Sequence, residues 1–213
     1  MRVGVLGTGN VGQSLGRGFI ALGHEVKMGG REANNEKAVA WAEKTGSKAS
    51  VGTFRDAATF GELLVLATLG QANESALRAA GTENFQGKVL IDATNPLDFS
   101  QGAPALAVGH TDSGGEQVQR LVPEAKVVKA FNILGHMLMF RPEFPDGPPD
   151  MLIAGNDDSA KGMVAGLLKD FGFGVVDLGG IENARWLEAM CMAWVAYGVR
   201  TSSWNHAFKL LRK

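Results

Sequence analysis

The chain has 213 residues, a formal net charge of −1, and hydrophobic and charged fractions of 45% and 20%, which are ordinary for a folded globular protein. This charge balance gives no support to nucleic acid or an anionic membrane surface as a partner. Cys191 is the only cysteine, which excludes an intrachain disulfide, and the longest apolar run, 189–197, is far too short for a membrane span. The N-terminus also lacks a signal-peptide pattern. A soluble, cytoplasmic protein is therefore expected.

Short apolar segments alternate with helical patterns along the chain. Strands are predicted at 2–6, 25–28, 49–52, 63–67, 89–91, 126–131, 151–154 and 175–176. Helices are predicted from the first glycine turn to 22, at 35–45, 116–121 and 159–171, and at 182–212 as two helices around Gly198. The pattern predicts an α/β fold. A Rossmann-type, doubly wound and mainly parallel sheet would occupy residues 1–178, and a small helical C-terminal portion residues 179–213.

The segment Gly7-Thr8-Gly9-Asn10-Val11-Gly12 fits the G-x-G-x-x-G pattern of dinucleotide-binding turns. It follows a predicted strand and opens a predicted helix, which is the context that the pattern requires. Gly7 would allow the tight turn, Gly9 would let a pyrophosphate approach the backbone, and Gly12 would let the helix pack on the strand. A dinucleotide is therefore the expected ligand.

The end of the second strand indicates which dinucleotide is bound. NAD-specific folds place Asp or Glu there, about 20 residues after the turn, to bond the ribose 2′-hydroxyl. This strand ends at Gly29, Gly30 and Arg31 with no carboxylate before Glu32. A guanidinium suits a 2′-phosphate, and Lys37 in the following helix would add positive charge. NADP(H) is therefore expected in preference to NAD(H).

Five segments carry a resemblance to a known family: 7–12, 29–31, Asp92-Ala-Thr-Asn95-Pro96, Lys129-Ala-Phe-Asn132, and Ala154-Gly155-Asn156-Asp157. Their order and spacing resemble the NADP oxidoreductases that depend on the deazaflavin coenzyme F-420, a group that includes the cytosolic domains of the STEAP metalloreductases. The resemblance covers nearly the whole chain. It implies a Rossmann domain with a small C-terminal domain and NADPH lying across the carboxyl edge of the sheet.

The resemblance also implies which residues hold each part of the cofactor. The pyrophosphate and the 2′-phosphate are assigned to Thr8, Asn10, Val11 and Arg31. The nicotinamide ribose and ring are assigned to Ala67, Thr68, Leu69, Asn95, Pro96 and Ala130–Asn132. The family often has serine before the arginine, where this chain has Gly30, so one hydrogen bond to the phosphate is expected to be missing. The electron acceptor, whether deazaflavin, flavin or another small molecule, stays open.

No acid–base residue stands out in the sequence. Tyr197 is the only tyrosine and begins no Tyr-x-x-x-Lys pair, and the four histidines are too scattered for a metal site. Lys129 is predicted to lie at a sheet end or on the surface, and Asp157 and Asp158 are predicted to cap a helix. Hydride transfer between stacked rings depends on proximity and orientation, which favours a planar, flavin-like acceptor.

Two alternatives remain at this stage. A protein that senses NADPH without turnover would bind the cofactor but cover its nicotinamide face. A reductase of small carbonyl or imine substrates would place a proton donor near the ring. In the enzyme, the loops 98–112 and 141–150 are expected to rim an open apolar cleft.

The C-terminal segment is rich in large apolar residues, namely Trp186, Met190, Met192, Trp194, Tyr197, Trp204 and Phe208. Core packing is one interpretation. A homodimer interface or a pocket for the acceptor is the other, because so small a helical portion has little of its own to pack against.

Overall fold

The computed structural model describes all of residues 1–213. The strands are β1 (Arg2–Leu6), β2 (Glu25–Gly30), β3 (Ala49–Thr53), β4 (Leu63–Leu66), β5 (Val89–Asp92), β6 (Leu97–Asp98), β7 (Ala105–Leu106), β8 (Lys126–Lys129), β9 (Asp150–Gly155) and β10 (Gly174–Asp177). The helices are α1 (Asn10–Ala21), α2 (Glu36–Thr45), α3 (Phe54–Phe60), α4 (Asn73–Ala80), α5 (Gly114–Leu121), α6 (Asp158–Asp170) and α7 (Ala184–Thr201).

Eight strands form one sheet in the order β10-β9-β8-β5-β4-β1-β2-β3. Every neighbouring pair is parallel except β8 and β9, which are antiparallel. From β1 the chain builds outward through β2 and β3 to one edge, and then returns to place β4 on the other side of β1. The predicted Rossmann-type α/β fold is confirmed. The switch in strand order lies between β1 and β4, where such sheets bind ligands at their carboxyl ends.

The central strands form because both faces of the sheet are covered. Val3 and Val5 of β1 and Leu64 and Leu66 of β4 are completely buried. Runs of this kind are typical of parallel strands that lie between two layers of helices. One of the two cores contains Phe19, Phe131 and Phe171, whose rings meet edge-on.

The sequence analysis assigned no helix to α3 or α4. The start of α3 does carry a local signal, since Thr53 and Asp56 form a reciprocal capping box at its N-terminus. Both helices are short, and each makes the return connection between two parallel strands. The predicted loop 98–112 also contains local structure, because β6 and β7 pair within and beside it as a small antiparallel ribbon.

The prediction of two C-terminal helices around Gly198 is wrong. One helix, α7, passes through Gly198 and ends at Thr201, and the next residue, Ser202, adopts a left-handed φ of 53°. The chain then folds back without helix along α7. The reason is packing: a Cβ at Gly198 would lie 2.4 Å from the Trp204 ring, so glycine leaves the space that this ring occupies.

The returning segment is held to the rest of the molecule by hydrogen bonds. Trp194 Nε1 donates to the His206 carbonyl at 2.8 Å, and the two rings stack with centroids 4.8 Å apart. Further on, Asp150 of β9 donates its backbone N–H to the Phe208 carbonyl at 2.9 Å. None of the helices is both long enough and apolar enough to cross a membrane.

Candidate active site

A cleft of about 400 Å³ opens at the carboxyl ends of β1, β2 and β4. Most of the residues that were predicted to bind the cofactor line this cleft. Its other lining residues are Asn35, Phe54, Ala72, Ser75 and Ala76. The assigned residues that line it are Gly7, Thr8, Gly9, Asn10, Val11, Gly30, Arg31, Ala67, Thr68 and Leu69. Residues far apart in the chain meet here because parallel strands end at the same edge of the sheet.

The glycine turn between β1 and α1 is built for close backbone approach. Gly7 has a φ of 133°, and a Cβ there would lie 2.3 Å from the Ala67 carbonyl oxygen. A Cβ at Gly12 would lie 2.4 Å from the Gly7 carbonyl oxygen, whereas the corresponding position at Gly9 has no atom within 4 Å. Gly7 and Gly12 therefore serve the turn itself, and Gly9 leaves open space above it.

The N-terminus of α1 offers its backbone N–H groups to this space. No side chain caps the helix at Gly9, and the first turn contains no acidic residue. Uncapped N–H groups and the positive end of the helix dipole attract a phosphate. The open cradle at Gly9 and the uncapped helix together fit a pyrophosphate.

Arg31 lies at the end of β2, exposed at the wall of the same cleft, and has no carboxylate partner. Asn35 lies beside it and caps α2 by accepting from the Ala38 N–H at 3.2 Å. Lys37 lies elsewhere: it lines a separate cavity with Arg17 and Lys44 between α1 and α2. Its assignment to the cofactor stays a prediction.

A second cavity, of about 200 Å³, adjoins the first one and shares Val11, Thr68 and Leu69 with it. Asn95 lines this second cavity, as do Leu69 and Phe99, whose side chains are 77% and 58% exposed. Phe99 comes from 98–112, one of the two loops that were expected to rim the cleft. The other loop, 141–150, contributes no residue to either cavity. This second cavity, which we call the recess, is therefore an open and partly apolar extension of the cleft.

Asn95 is held in place by Asn132. The Asn95 amide donates to the Asn132 carbonyl at 2.8 Å, and the Asn132 amide donates to Asn95 Oδ1 at 3.0 Å. Ala130 and Asn132 are themselves buried and line neither cavity of the cleft, while Pro96 lines a different cavity beside Gly114. These residues support the wall of the second cavity from behind.

The backbone at Phe131, between Ala130 and Asn132, adopts a left-handed conformation. Its φ is 63°, an uncommon value for a bulky residue. The fully packed ring, edge-on to Phe171 and Phe173, and a 3.1 Å hydrogen bond from its N–H to Met151 Sδ hold this conformation. The turn ends β8 at Lys129, earlier than predicted, and directs Asn132 toward Asn95.

Lys129 is the main correction to the sequence analysis. It does lie at the end of β8, which is one of the two predicted positions, but its side chain is completely buried instead of lying at the surface. Its ammonium group is 2.9 Å from Asp92 Oδ2 and 2.7 Å from Glu188 Oε1. Burial opposes the charged form, but the two carboxylates outweigh it, so the pKa of Lys129 lies above its ordinary value. The ammonium is charged and committed to these partners.

Glu188 on α7 completes this arrangement at a helix terminus. It accepts from the backbone N–H groups of Gly114 and Gly115 at 2.9 and 3.0 Å, in the first turn of α5. The sequence analysis missed Glu188 because only the fold brings it to Lys129. A weak signal existed, since Lys129 lies within one predicted strand and Asp92 directly follows another, and buried charges need partners.

Neither Lys129 nor Glu188 lines the cleft, and Arg31 is the only titratable side chain in the lining of its two cavities. His136 Nε2 lies 3.5 Å from the Asn10 amide at an exposed position. Cys191 is buried, and burial raises the pKa of its thiol to about 11. No group of three His, Cys, Asp or Glu side chains is arranged to hold a metal ion. Asp157 caps α6 by accepting from the Ala160 N–H, as predicted.

Comparison with known proteins gives consistent matches. Residues 2–96 match the model of the family described as NADP oxidoreductase, coenzyme F420-dependent. The F420-dependent NADP reductase of Methanothermobacter marburgensis is 32% identical over 203 residues, with 88% of each chain covered. A crystal structure of a candidate F420-dependent NADP reductase from Arthrobacter sp. FB24 is 41% identical, with 100% of both chains covered and a TM-score of 0.95.

The metalloreductase STEAP3 of Rattus norvegicus is also similar, at 30% identity over 190 residues. The alignment covers 89% of this chain but 36% of that protein. The chain thus spans about a third of the length of this metalloreductase.

The buried ion pairs predict a large effect of replacing Lys129. Lys129→Met would leave the Asp92 and Glu188 carboxylates buried without a counter-charge. We expect the free energy of unfolding to fall by about 3–5 kcal/mol, measured by urea denaturation. The matched control is Lys126→Met on the same strand, whose side chain is 41% exposed and pairs with Asp157; its loss should stay below about 1 kcal/mol. Equal, small losses in both variants would contradict this role of Lys129.

Proposed function

The chain belongs to the coenzyme F420-dependent NADP oxidoreductase family and is an NADP-dependent oxidoreductase; on that premise we propose that it transfers a hydride between NADPH and a planar, flavin-like or deazaflavin acceptor. One observation carries the proposal. The glycine turn and Arg31 open on the same cleft, and an exposed recess without a proton donor continues it. A dinucleotide would extend across this cleft, with its reactive ring in the recess.

The residues present fit an NADP(H) cofactor. The turn at Gly9 and the uncapped α1 would hold the pyrophosphate, and Arg31 the 2′-phosphate. Thr68, Leu69 and Asn95 would contact the nicotinamide half. When bound, the cofactor supplies or accepts a hydride at its nicotinamide ring. The chain's own residues orient the cofactor, and Asn95 keeps a fixed position because Asn132 bonds it twice.

The recess favours a flat aromatic acceptor. Leu69 and Phe99 expose large apolar surfaces in its wall, and Met137, which is 84% exposed, follows His136 near Asn10. Such side chains suit a planar ring system that stacks on the nicotinamide. Reduction of a carbonyl or imine would gain roughly 10²–10⁴-fold from a positioned proton donor, and the completely buried Lys129 does not line the recess. The deazaflavin named for the relatives has the required planarity.

We include a homodimer in the proposal. Trp186 and Val199 on α7 and Leu211 in the returning segment expose 62%, 62% and 85% of their surfaces. Large apolar residues on one terminal element are typical of an interface between copies. Sedimentation equilibrium at micromolar concentration should give twice the chain mass, and Val199→Glu should shift it toward the monomer. A wild-type monomer would rule out this part.

Selectivity for the 2′-phosphate should depend on Arg31. Arg31→Gln removes the charge and the guanidinium fork, so we expect NADPH binding to weaken about tenfold or more while NADH binding changes little. Isothermal titration with both cofactors measures this. Lys44→Gln, on the exposed side of α2, is the control and should leave both affinities near wild type. Loss of NADPH and NADH binding in equal measure would contradict the assignment of Arg31.

The proposed reaction is tested by following NADPH oxidation at about 340 nm with a panel of acceptors: a deazaflavin, FMN, a ferric chelate, and a cyclic imine. We expect rapid oxidation with the deazaflavin or FMN. Tight, NADPH-selective binding without turnover on any acceptor would overturn the proposal and favour a sensor. Turnover on the imine alone would favour the carbonyl or imine reductase instead.

A further inference from the structure

An unbroken series of hydrogen bonds connects α7 with the cleft. Its successive members are Glu188, Lys129, Asp92, Thr94, Asn73 and Thr68, joined at 2.7, 2.9, 2.7, 2.8 and 2.6 Å. The first five are buried, with at most 6% of their surface exposed. Thr68 is half-buried and lines both cavities of the cleft. We call this series the buried relay.

The Asp92 carboxylate determines the direction of the hydrogen bonds next to it. Its Oδ2 accepts from the Lys129 ammonium and its Oδ1 accepts from the Thr94 backbone N–H, and a carboxylate only accepts. Thr94 must therefore donate its hydroxyl proton to Asp92 Oδ1. The Thr94 oxygen is left to accept, so the neighbouring amide of Asn73 must present Nδ2 to it rather than Oδ1.

The same logic extends to Thr68. With Nδ2 directed at Thr94, Asn73 presents Oδ1 to Thr68, and a carbonyl oxygen only accepts. Thr68 must therefore donate its hydroxyl proton to Asn73. A free hydroxyl rotates to suit its partner and acts as donor or acceptor. Here the proton points into the relay, and Thr68 Oγ1 is left as an acceptor at the cleft.

The position of Thr68 identifies the group that it meets. The first cavity holds the phosphate-binding turn and Arg31, and Thr68 is among the residues shared with the second cavity. In a dinucleotide, the group that follows the pyrophosphate on the side away from the 2′-phosphate is a ribose. Its hydroxyls are hydrogen-bond donors of the kind that an acceptor-only threonine selects.

The family resemblance already places Thr68 at the nicotinamide ribose. Resting on that assignment and on the proposed function, we infer that Asp92, Thr94 and Asn73 are positioning residues, which keep Thr68 an acceptor for a hydroxyl of that ribose. Thr68 and Thr94 line the second cavity, whereas Asp92 and Asn73 line neither cavity of the cleft. The ion pairs at Lys129 thus set the orientation of a cofactor contact without approaching the cofactor themselves.

A double-mutant cycle between protein and ligand tests the contact. Isothermal titration compares NADPH with analogues whose nicotinamide ribose lacks the 2′- or the 3′-hydroxyl. In the wild type, loss of one of these hydroxyls should weaken binding about three- to tenfold, as expected for one neutral hydrogen bond. Thr68→Val should lose this discrimination, and Thr68→Ser should retain it. Discrimination that persists in Thr68→Val, or is absent in the wild type, would overturn the inference.

The positioning role is tested at residues that do not touch the cofactor. In Asp92→Asn the Lys129 ammonium requires the amide oxygen, so the amide NH2 group faces Thr94, whose backbone N–H loses its acceptor. This allows the relay to reverse and turns the Thr68 proton toward the cleft. We expect the discrimination to disappear in this variant. Asn73→Leu removes the acceptor of the Thr68 proton at a residue that lines neither cavity of the cleft. It should have the same effect, which covers the case in which Asp92→Asn fails to fold. A purely structural role would leave the discrimination intact in a folded variant.

Adenosine 2′,5′-bisphosphate distinguishes a failure of the proposed function from a failure of the inference about Thr68. It occupies only the adenosine half, so its affinity should be the same in the wild type and in all Thr68 variants. If this ligand and NADPH both fail to bind the wild type, the proposed function fails. If both bind and NADPH is oxidised, but the ribose hydroxyls show no coupling to Thr68, only the present inference fails.

Discussion

The complete burial of one ammonium group constrains much of this molecule. Lys129 ends the strand next to β5, and a charge in the interior is tolerated only when it is paired and hydrogen-bonded. Asp92 supplies one carboxylate from the neighbouring strand and Glu188 supplies the other from α7. Glu188 also accepts from two N–H groups at the start of α5. The position of α7 against the sheet is therefore coupled to the edge at which the cleft lies.

The cleft itself depends on a second constraint, which is the absence of side chains. Gly7 and Gly12 allow β1, α1 and the end of β4 to approach so closely that a Cβ would collide with backbone. The same geometry leaves Gly9 uncovered and α1 uncapped. A closely packed, buried support lies behind the cleft, and an open polar cradle lies in front of it. This combination suits a reaction that requires two rings to be oriented rather than protonated.

Much of the fold and part of the candidate site were predictable from local pattern. The parallel strands and the glycine turn each depend on residues that are close in sequence, and the residues lining the first cavity follow directly from the ends of those strands. The helices α3 and α4 were not predicted, although the capping box of Thr53 and Asp56 marks the start of α3. The second C-terminal helix was wrongly predicted because an apolar helical pattern does not reveal that Trp204 folds back onto Gly198.

The sequence by itself determined the α/β class, the dinucleotide-binding turn, and the arginine at the end of β2, because periodicity and spacing encode these features locally. Only the tertiary structure decided the role of Lys129, whose partners lie 37 and 59 positions away in the chain. It also decided the direction in which the Thr68 hydroxyl donates, because that direction depends on successive hydrogen bonds from Asp92 on β5, Thr94 in the following loop and Asn73 on α4. The physical reason is that burial and hydrogen-bond direction are properties of surroundings, and the chain assembles those surroundings only when it folds.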